Sequence, residues 1–262
     1  MKMDLILKKI NVRLYGGIIP ILLLFIWQVI TSVGYLSPLI LPPPAIVFKT
    51  FLSQFELHGL GVHIPTSLKR VMCGFLIGSL TGVSFGLLIG LSRTAEKVFA
   101  PAFHVVRQIP MIGWIPLIVM WFGMNELPRI IVISMAAFYP TVLNTYAGVR
   151  NVPREYLELA SVYGYKGLKL IRRVIIPSAF PSIITGISLS VGMSWAILMA
   201  AELFIDTYFG IGTCIEKGRS SFNMALVYVG IITVGLLGYA MTAIVEKFVK
   251  AFDYGGVINR EL

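Results

Sequence analysis

Residues 71–91, 130–149, 178–201 and 222–245 each run for 20 or more positions without one Asp, Glu, Lys or Arg. In hydrocarbon a chain has no water to bond, so it must satisfy its own backbone, and about 20 apolar residues in a helix span the core. Two more stretches qualify, 17–36 and 98–123, the second interrupted by Arg107. The expected fold is an all-α integral membrane protein of six transmembrane helices, a single membrane domain over 17–262 after a short segment 1–16. Only 13% of residues are charged, about half the share usual in soluble domains. Segment 17–36 follows Lys8, Lys9 and Arg13 as a secretory signal would. Its apolar run outlasts the roughly 7–15 residues of a signal core and no small-residue cleavage site follows, so it reads as a retained anchor.

Six spans put both termini on one side. Fifteen of the 22 Lys and Arg residues fall on that side, six on the other, and Arg107 lies within the third span. Positive residues collect in cytoplasmic loops, so both termini are expected in the cytoplasm. Lys69 and Arg70 run against this, because they would sit at the outer mouth of the second helix. The net charge of +10 is then a consequence of topology, and no nucleic-acid partner is implied. After the LPPP stop, Phe48, Phe51, Leu52 and Phe55 recur at helical spacing, which predicts a short interfacial helix on the outer face.

Gly74, Gly78, Gly82, Gly86 and Gly90 recur every fourth residue through the second span. At 3.6 residues per turn they form one stripe of bare backbone, a helix-packing face that a neighbouring helix can approach closely. Catalytic constellations are missing from the sequence. His58, His63 and His104 have no metal-ligand spacing, no metal site is expected, and Cys73 and Cys214 belong to no paired motif. A self-driven transporter usually keeps an acid inside a span to carry its ion. Here the span centres hold none, Glu202 standing at the outer end of the fifth, and no Gly-Lys-Ser/Thr occurs for ATP binding. Three classes stay open at this point: a permease driven by a partner, an autonomous secondary transporter or channel, and a membrane enzyme.

The loop 150–177, between spans four and five, carries the largest cluster of charge. Pro153 can open a helix there, and Glu155 and Glu158 follow where the helix dipole favours acids. Tyr156, Leu159, Ala160 and Tyr163 share one face, Gly164 and Gly167 end the helix, and Lys166, Lys169, Arg172 and Arg173 make a basic patch at the membrane surface. A helix with an apolar face outside the membrane fits a protein groove.

The segment ELASVYGYKGLKLIRRVIIPSAFPSIITGI resembles the EAA loop of binding-protein-dependent ABC importer permeases. Glu158, Leu159 and Ala160 stand at the E-A-A positions, Leu159 departing from the usual alanine, with Gly164 and Pro177 at the glycine and proline positions. LPPPAIVF, TSLKRVMCGFLIG, RQIPMIGWIPLIVMWFG, FYPTVLNTYAGV and AELFIDTYFGIGTCI are similar to segments of the nitrate/sulfonate/taurine branch, which also includes permeases for aminopyrimidine thiamine precursors. The resemblance implies the type I importer permease fold, placed multi-pass in a bacterial cell membrane. It also implies a second permease copy, ABC ATPase subunits that bind ATP and Mg, and an extracytoplasmic solute-binding protein that delivers substrate. This chain itself would hold no cofactor and no ATPase site. Glu155, Glu158, Leu159, Ala160, Gly164 and Pro177 are then the expected ATPase-coupling residues. The expected solute is a small anion such as an aliphatic sulfonate, taurine or nitrate, with an aminopyrimidine as the alternative. Arg107 and Trp114, on a helix bent by Pro110 and Pro116, and Asn144 and Trp195 are candidate pathway residues.

Overall fold

The computed structural model describes residues 18–56, 59–205 and 208–251. The expected N-terminal segment 1–16 and His58 lie outside them. No strand occurs among the described residues. Helices α3 (Gly59–Leu91), α6 (Glu126–Arg150), the continuous run Gly167–Phe204 and α11 (Met224–Ala251) are long and apolar enough to cross a membrane. A fifth candidate is a bent pair, α4 (Arg93–Val106) with the segment Met111–Phe122. Helix α1 (Ile18–Ser32) is apolar but shorter, and α10 (Ile211–Ser220) is a short helix ahead of α11.

The expected third span, 98–123, is thus not one straight helix. Its halves meet at 91°. Pro110 has no amide to donate and forces the residue before it away from helical geometry. The chain accordingly tightens at Arg107–Ile109, passes through an extended Pro110 (ψ 133°), makes a single 3-10 turn at Met111–Trp114 and restarts as α5 (Ile115–Phe122) with Pro116 in its first turn. The second span also differs from expectation. It begins twelve residues earlier than residue 71, so Lys69 and Arg70 lie well inside α3 and not at its mouth, and His63 is helical too.

Two compact units make up the chain, residues 1–61 with 214–232 and residues 62–213 with 233–262. In the first, the Trp27 indole on α1 donates to the Pro42 carbonyl (3.1 Å) and its ring lies 5.4 Å from that of Tyr228. Helix α2 (Pro44–Glu56) starts at the proline stop and leaves Phe48, Leu52 and Phe55 exposed on one side. A bilayer surface suits such a face.

The second unit is built on α3, α6 and α9 (Ile176–Phe204). A Cβ added to Gly74 would meet Ile133, one on Gly78 the backbone of Ser134, one on Gly82 Thr141, one on Gly86 Thr145 and one on Gly90 Val149. The whole stripe therefore faces α6, at distances that only glycine permits. On its other side α6 packs antiparallel to α9. Gly148 meets Ala179 and Ser182, Gly186 meets Pro140, Thr141 and Asn144, and Arg129 reaches the Ile205 carbonyl. Around the far end of this trio Val71, Val132, Ile133, Ile197, Leu198 and Ile205 form the main core.

Candidate functional site

Loop 150–177 forms the expected helix and Gly164 stops it, whereas Gly167 (φ 51°), expected to share that stop, instead opens the next helix. Pro153 (φ −56°, ψ 135°) caps α7 (Arg154–Val162) from just outside the helix, one residue earlier than a first-turn position. At the other end Gly164 adopts φ 68°. The Tyr165 amide donates to Ala160 (2.8 Å) and the Gly164 amide to Ser161 (3.0 Å), the paired bonds of a Schellman stop. Only a residue comfortable in the left-handed region can hold this corner, which is the local reason for glycine there.

The face expected on α7 is divided. Ala160 is 3% exposed and turned inward, while Tyr156, Leu159 and Tyr163 stay open. They line a groove of about 320 Å³ together with Ala160, Tyr165, Arg173, Val174 and Ser178. Tyr165 is fixed from the basic side: Arg173 donates to its hydroxyl (3.2 Å) and the Lys169 ammonium stands 4.5 Å over its ring. Glu155 and Glu158 are exposed on the rest of the helix. An aromatic, open groove with acids beside it and cations opposite can seat an apolar side chain from another protein and read charge around it.

Below the groove the chain enters the membrane helix through α8 (Gly167–Leu170) and a π turn, Ile171–Ile175. Pro177 explains the turn. Its missing N–H and bulky ring would disrupt a regular α ladder, and one wider turn, in which the Ile176 amide donates back to Ile171, absorbs the mismatch. Pro177 itself is exposed. The entry into the loop is braced as well: Glu96, in the first turn of α4, pairs with Arg150 at the end of α6 and accepts from the Tyr146 hydroxyl.

The four pathway candidates are not gathered into one site. Arg107 caps α4 at the 91° break and is exposed. Trp114 packs partly buried against the main core, and Trp195 lies within it. The Trp195 indole donates to the Val234 carbonyl (2.8 Å) over Gly238, clamping α11 to α9. The Asn144 amide donates to Pro140 one turn back (2.9 Å) and packs on Gly186.

At the opposite end of the unit is a cluster that sequence reasoning did not assemble. The Arg70 guanidinium forks onto Glu126 through Nε and Nη2 (both 2.6 Å) and reaches Glu202 (2.7 Å) and the Phe209 carbonyl (2.6 Å) through Nη1. Glu202 also accepts from Ser67 (2.7 and 3.0 Å) and from the Gly212 amide (2.9 Å). The Ser67 hydroxyl in turn accepts from the Ile211 amide and His63 Nδ1 from the Gly210 amide. Side chains of Arg70 and Glu202 are 4% and 0% exposed, that of Glu126 56%. The signal was present in Lys69-Arg70, the basic pair that ran against the topology rule, and in Glu202, an acid at the outer end of the fifth expected span. A buried cation needs a buried acid.

Comparison with known proteins agrees with this architecture. The family model described as "Binding-protein-dependent transport system inner membrane component" matches residues 74–254. A Bacillus subtilis protein that bears the name aliphatic sulfonates transport permease protein SsuC is 34% identical over 91% of this chain and 84% of its own length. The taurine transport system permease protein TauC of Escherichia coli is 30% identical over 84% and 81% of the two chains, and the bicarbonate transport system permease protein CmpB of Synechococcus elongatus 32% over 93% of each. Among solved structures, a chain of the inward-facing MetNI methionine ABC transporter in its CY5 native crystal form superposes with a TM-score of 0.58, over 71% of this chain and 92% of that one, at 16% identity. The fold is shared at a sequence distance where little else need be. The chain belongs to the family of binding-protein-dependent transport system inner membrane components.

Proposed function

We propose that this chain is the membrane-spanning permease subunit of an ATP-driven importer for a small organic or inorganic anion, with an aliphatic sulfonate as the leading substrate. Family membership supports the importer class. The observation that carries the mechanism is the open aromatic groove on α7, joined through α8 and the π turn directly to α9. A partner ATPase that seats a side chain between Tyr156, Leu159 and Tyr163 holds a lever on the membrane helices. Closure of two such ATPases on nucleotide then swings α9, and α3 and α6 with it, between inward-open and outward-open states. Coupling residues Glu155, Glu158, Leu159, Ala160, Gly164 and Pro177 divide accordingly. Leu159 contacts the partner, Ala160 seats the helix, Gly164 stops it, Pro177 sets the turn, and the two acids answer charge on the partner.

In this reading two permease copies line the passage, six spans cross the membrane with both termini in the cytoplasm, and a solute-binding protein delivers the anion outside. The names of SsuC, TauC and CmpB, each for a small solute with a sulfonate or carbonate anionic group, support this class. Arg107, exposed beside the break in the third span, is the cation placed to attract such a solute. The test is uptake of labelled ethanesulfonate by cells with and without this chain, with taurine, bicarbonate, nitrate and an aminopyrimidine as competitors. Uptake that vanishes on deletion and is blocked by sulfonates supports the assignment. Equal uptake in both strains rejects the sulfonate.

A further inference from the structure

We infer that Arg70 is a positioning residue for transport, fastening the end of α9 remote from the coupling groove to α3 and α6 so that motion delivered at α7 arrives there undiminished. The inference rests on the importer reading above. Helix α9 runs 29 residues from Ile176 to Phe204, about 43 Å at 1.5 Å per residue. Movement applied at its start is lost along the way unless neighbouring helices are locked to it. Along most of the length the lock is close backbone packing, Gly148 of α6 and Gly186 of α9 at one contact and the five-glycine stripe of α3 at the other. At the remote end the glycine contacts stop at Gly74, and the apolar core with the Arg129 bond to the Ile205 carbonyl takes over. There α6 begins with Glu126, and α9 ends at Phe204.

Arg70 adds a further link at this end. One guanidinium collects Glu126 from α6, Glu202 from α9 and the Phe209 carbonyl from the segment beyond α9, and it stands itself on α3. Ser67 and His63, one turn and two turns earlier on α3, take the amides of Ile211 and Gly210. Gly210 has no room for a side chain, since a Cβ would fall 2.6 Å from the Glu202 carboxyl carbon and 2.7 Å from Arg70 Nη1. Apolar side chains of the same volume hold buried helix ends together as well as or better than ions do. What they do not supply is fixed direction. The planar fork of Arg binds two carboxylates and a carbonyl at set angles, and Lys, a point charge with three donors, does not reproduce it.

The experiment uses the permease assembled with its ATPase subunits in lipid nanodiscs. Cys73 and Cys214 are replaced by Ala, and spin labels are placed at Tyr208 and Leu127, both largely exposed. In the otherwise native chain the distance distribution is narrow and the same without nucleotide and with ATP and vanadate. In Arg70→Lys it broadens to about twice the width, while ATP hydrolysis per assembled complex stays within about twofold. A residue that merely aids folding lowers the amount of complex and leaves the distribution of what remains unchanged. If Arg70→Lys does not assemble, Glu126→Gln is measured in its place, because that carboxylate is half-exposed and Arg70 keeps Glu202 when it is neutralised. A distance that shifts with nucleotide in the native chain, or a distribution as narrow in the variant as in the native, overturns the inference. Failure of any ATPase subunit to associate refutes the importer reading instead, and the nucleotide-free comparison of the two chains still tests Arg70.

Discussion

Substituting Gly78→Ala tests the α3–α6 contact at its tightest point. The added Cβ would lie 2.1 Å from the Ser134 carbonyl oxygen and 2.7 Å from the Ala137 Cβ. Ordinary contact begins near 3.4 Å, so the helices must part locally by about 1.3 Å. Both obstacles are backbone or a Cβ, and neither can rotate away. Overpacking costs about 1–3 kcal/mol, and the upper end applies here. Against it, Ala is a better helix former than Gly by about 1 kcal/mol, which leaves a net loss of about 2 kcal/mol. Gly192, in α9, supplies the control: a Cβ there meets nothing within 4 Å, so Gly192→Ala keeps only the helix-propensity gain of up to about 1 kcal/mol. The two variants, identical in chemistry and both in spanning helices, are expected to differ by about 3 kcal/mol in unfolding from mixed detergent micelles followed by circular dichroism. Stabilities within about 0.5 kcal/mol of each other, or a Gly78→Ala chain more stable than Gly192→Ala, would refute the packing argument.

Other substitutions separate packing from coupling. Trp195→Phe removes the donor to the Val234 carbonyl and opens space over Gly238, a loss of about 1–3 kcal/mol that the same unfolding measurement reads. Gly164→Val meets no atom within 4 Å but must hold φ 68°, a strain of about 1–2 kcal/mol confined to the exposed corner of α7. Membrane levels are expected to stay normal while solute uptake collapses, whereas Gly164→Asn, tolerant of that backbone, keeps transport. Phe222 is the one non-glycine residue with positive φ (55°) among the described residues, and it is 77% exposed. Phe222→Gly relieves the strain and is expected to raise stability by up to about 1 kcal/mol in detergent; an unchanged or lower value contradicts a strained turn.

Features that one helix can encode by itself were legible in the sequence. Gly164 and Pro153 mark the ends of α7 through local backbone chemistry, and both ends lie within a residue of where that chemistry puts them. The glycine stripe announced a close contact but not its partner, because the spacing of glycines on α3 carries nothing about which helix fills the groove. That α6 fills it is a tertiary fact. Pro110 and Pro116 announced a bend, yet whether two prolines six apart curve a helix or break it at 91° depends on whether a 3-10 turn fits between them. The ion cluster was hidden for another reason. Arg70, Glu126 and Glu202 are separated by 56 and by 76 positions, each at a span end where a charge passes for a boundary marker. Only their convergence shows that Arg70 and Glu202 are buried. Trp195 and Asn144 show the same limit, since polar groups inside spans suggest a passage and only the structure shows that both donate to carbonyls of their own bundle.

In the proposed mechanism energy enters through α7 from a separate ATPase, and reconstitution into liposomes tests that most directly. Vesicles are made with this chain alone, with its ATPase subunits, and with ATPase and solute-binding protein together, and uptake of labelled ethanesulfonate, taurine and bicarbonate is followed with ATP or a non-hydrolysable analogue on the side of the ATPase. Accumulation against a gradient of at least one of these anions, only in the complete system and only with ATP, is the predicted result. Uptake by the chain alone, indifferent to ATP, would contradict it and make the protein an autonomous transporter or channel.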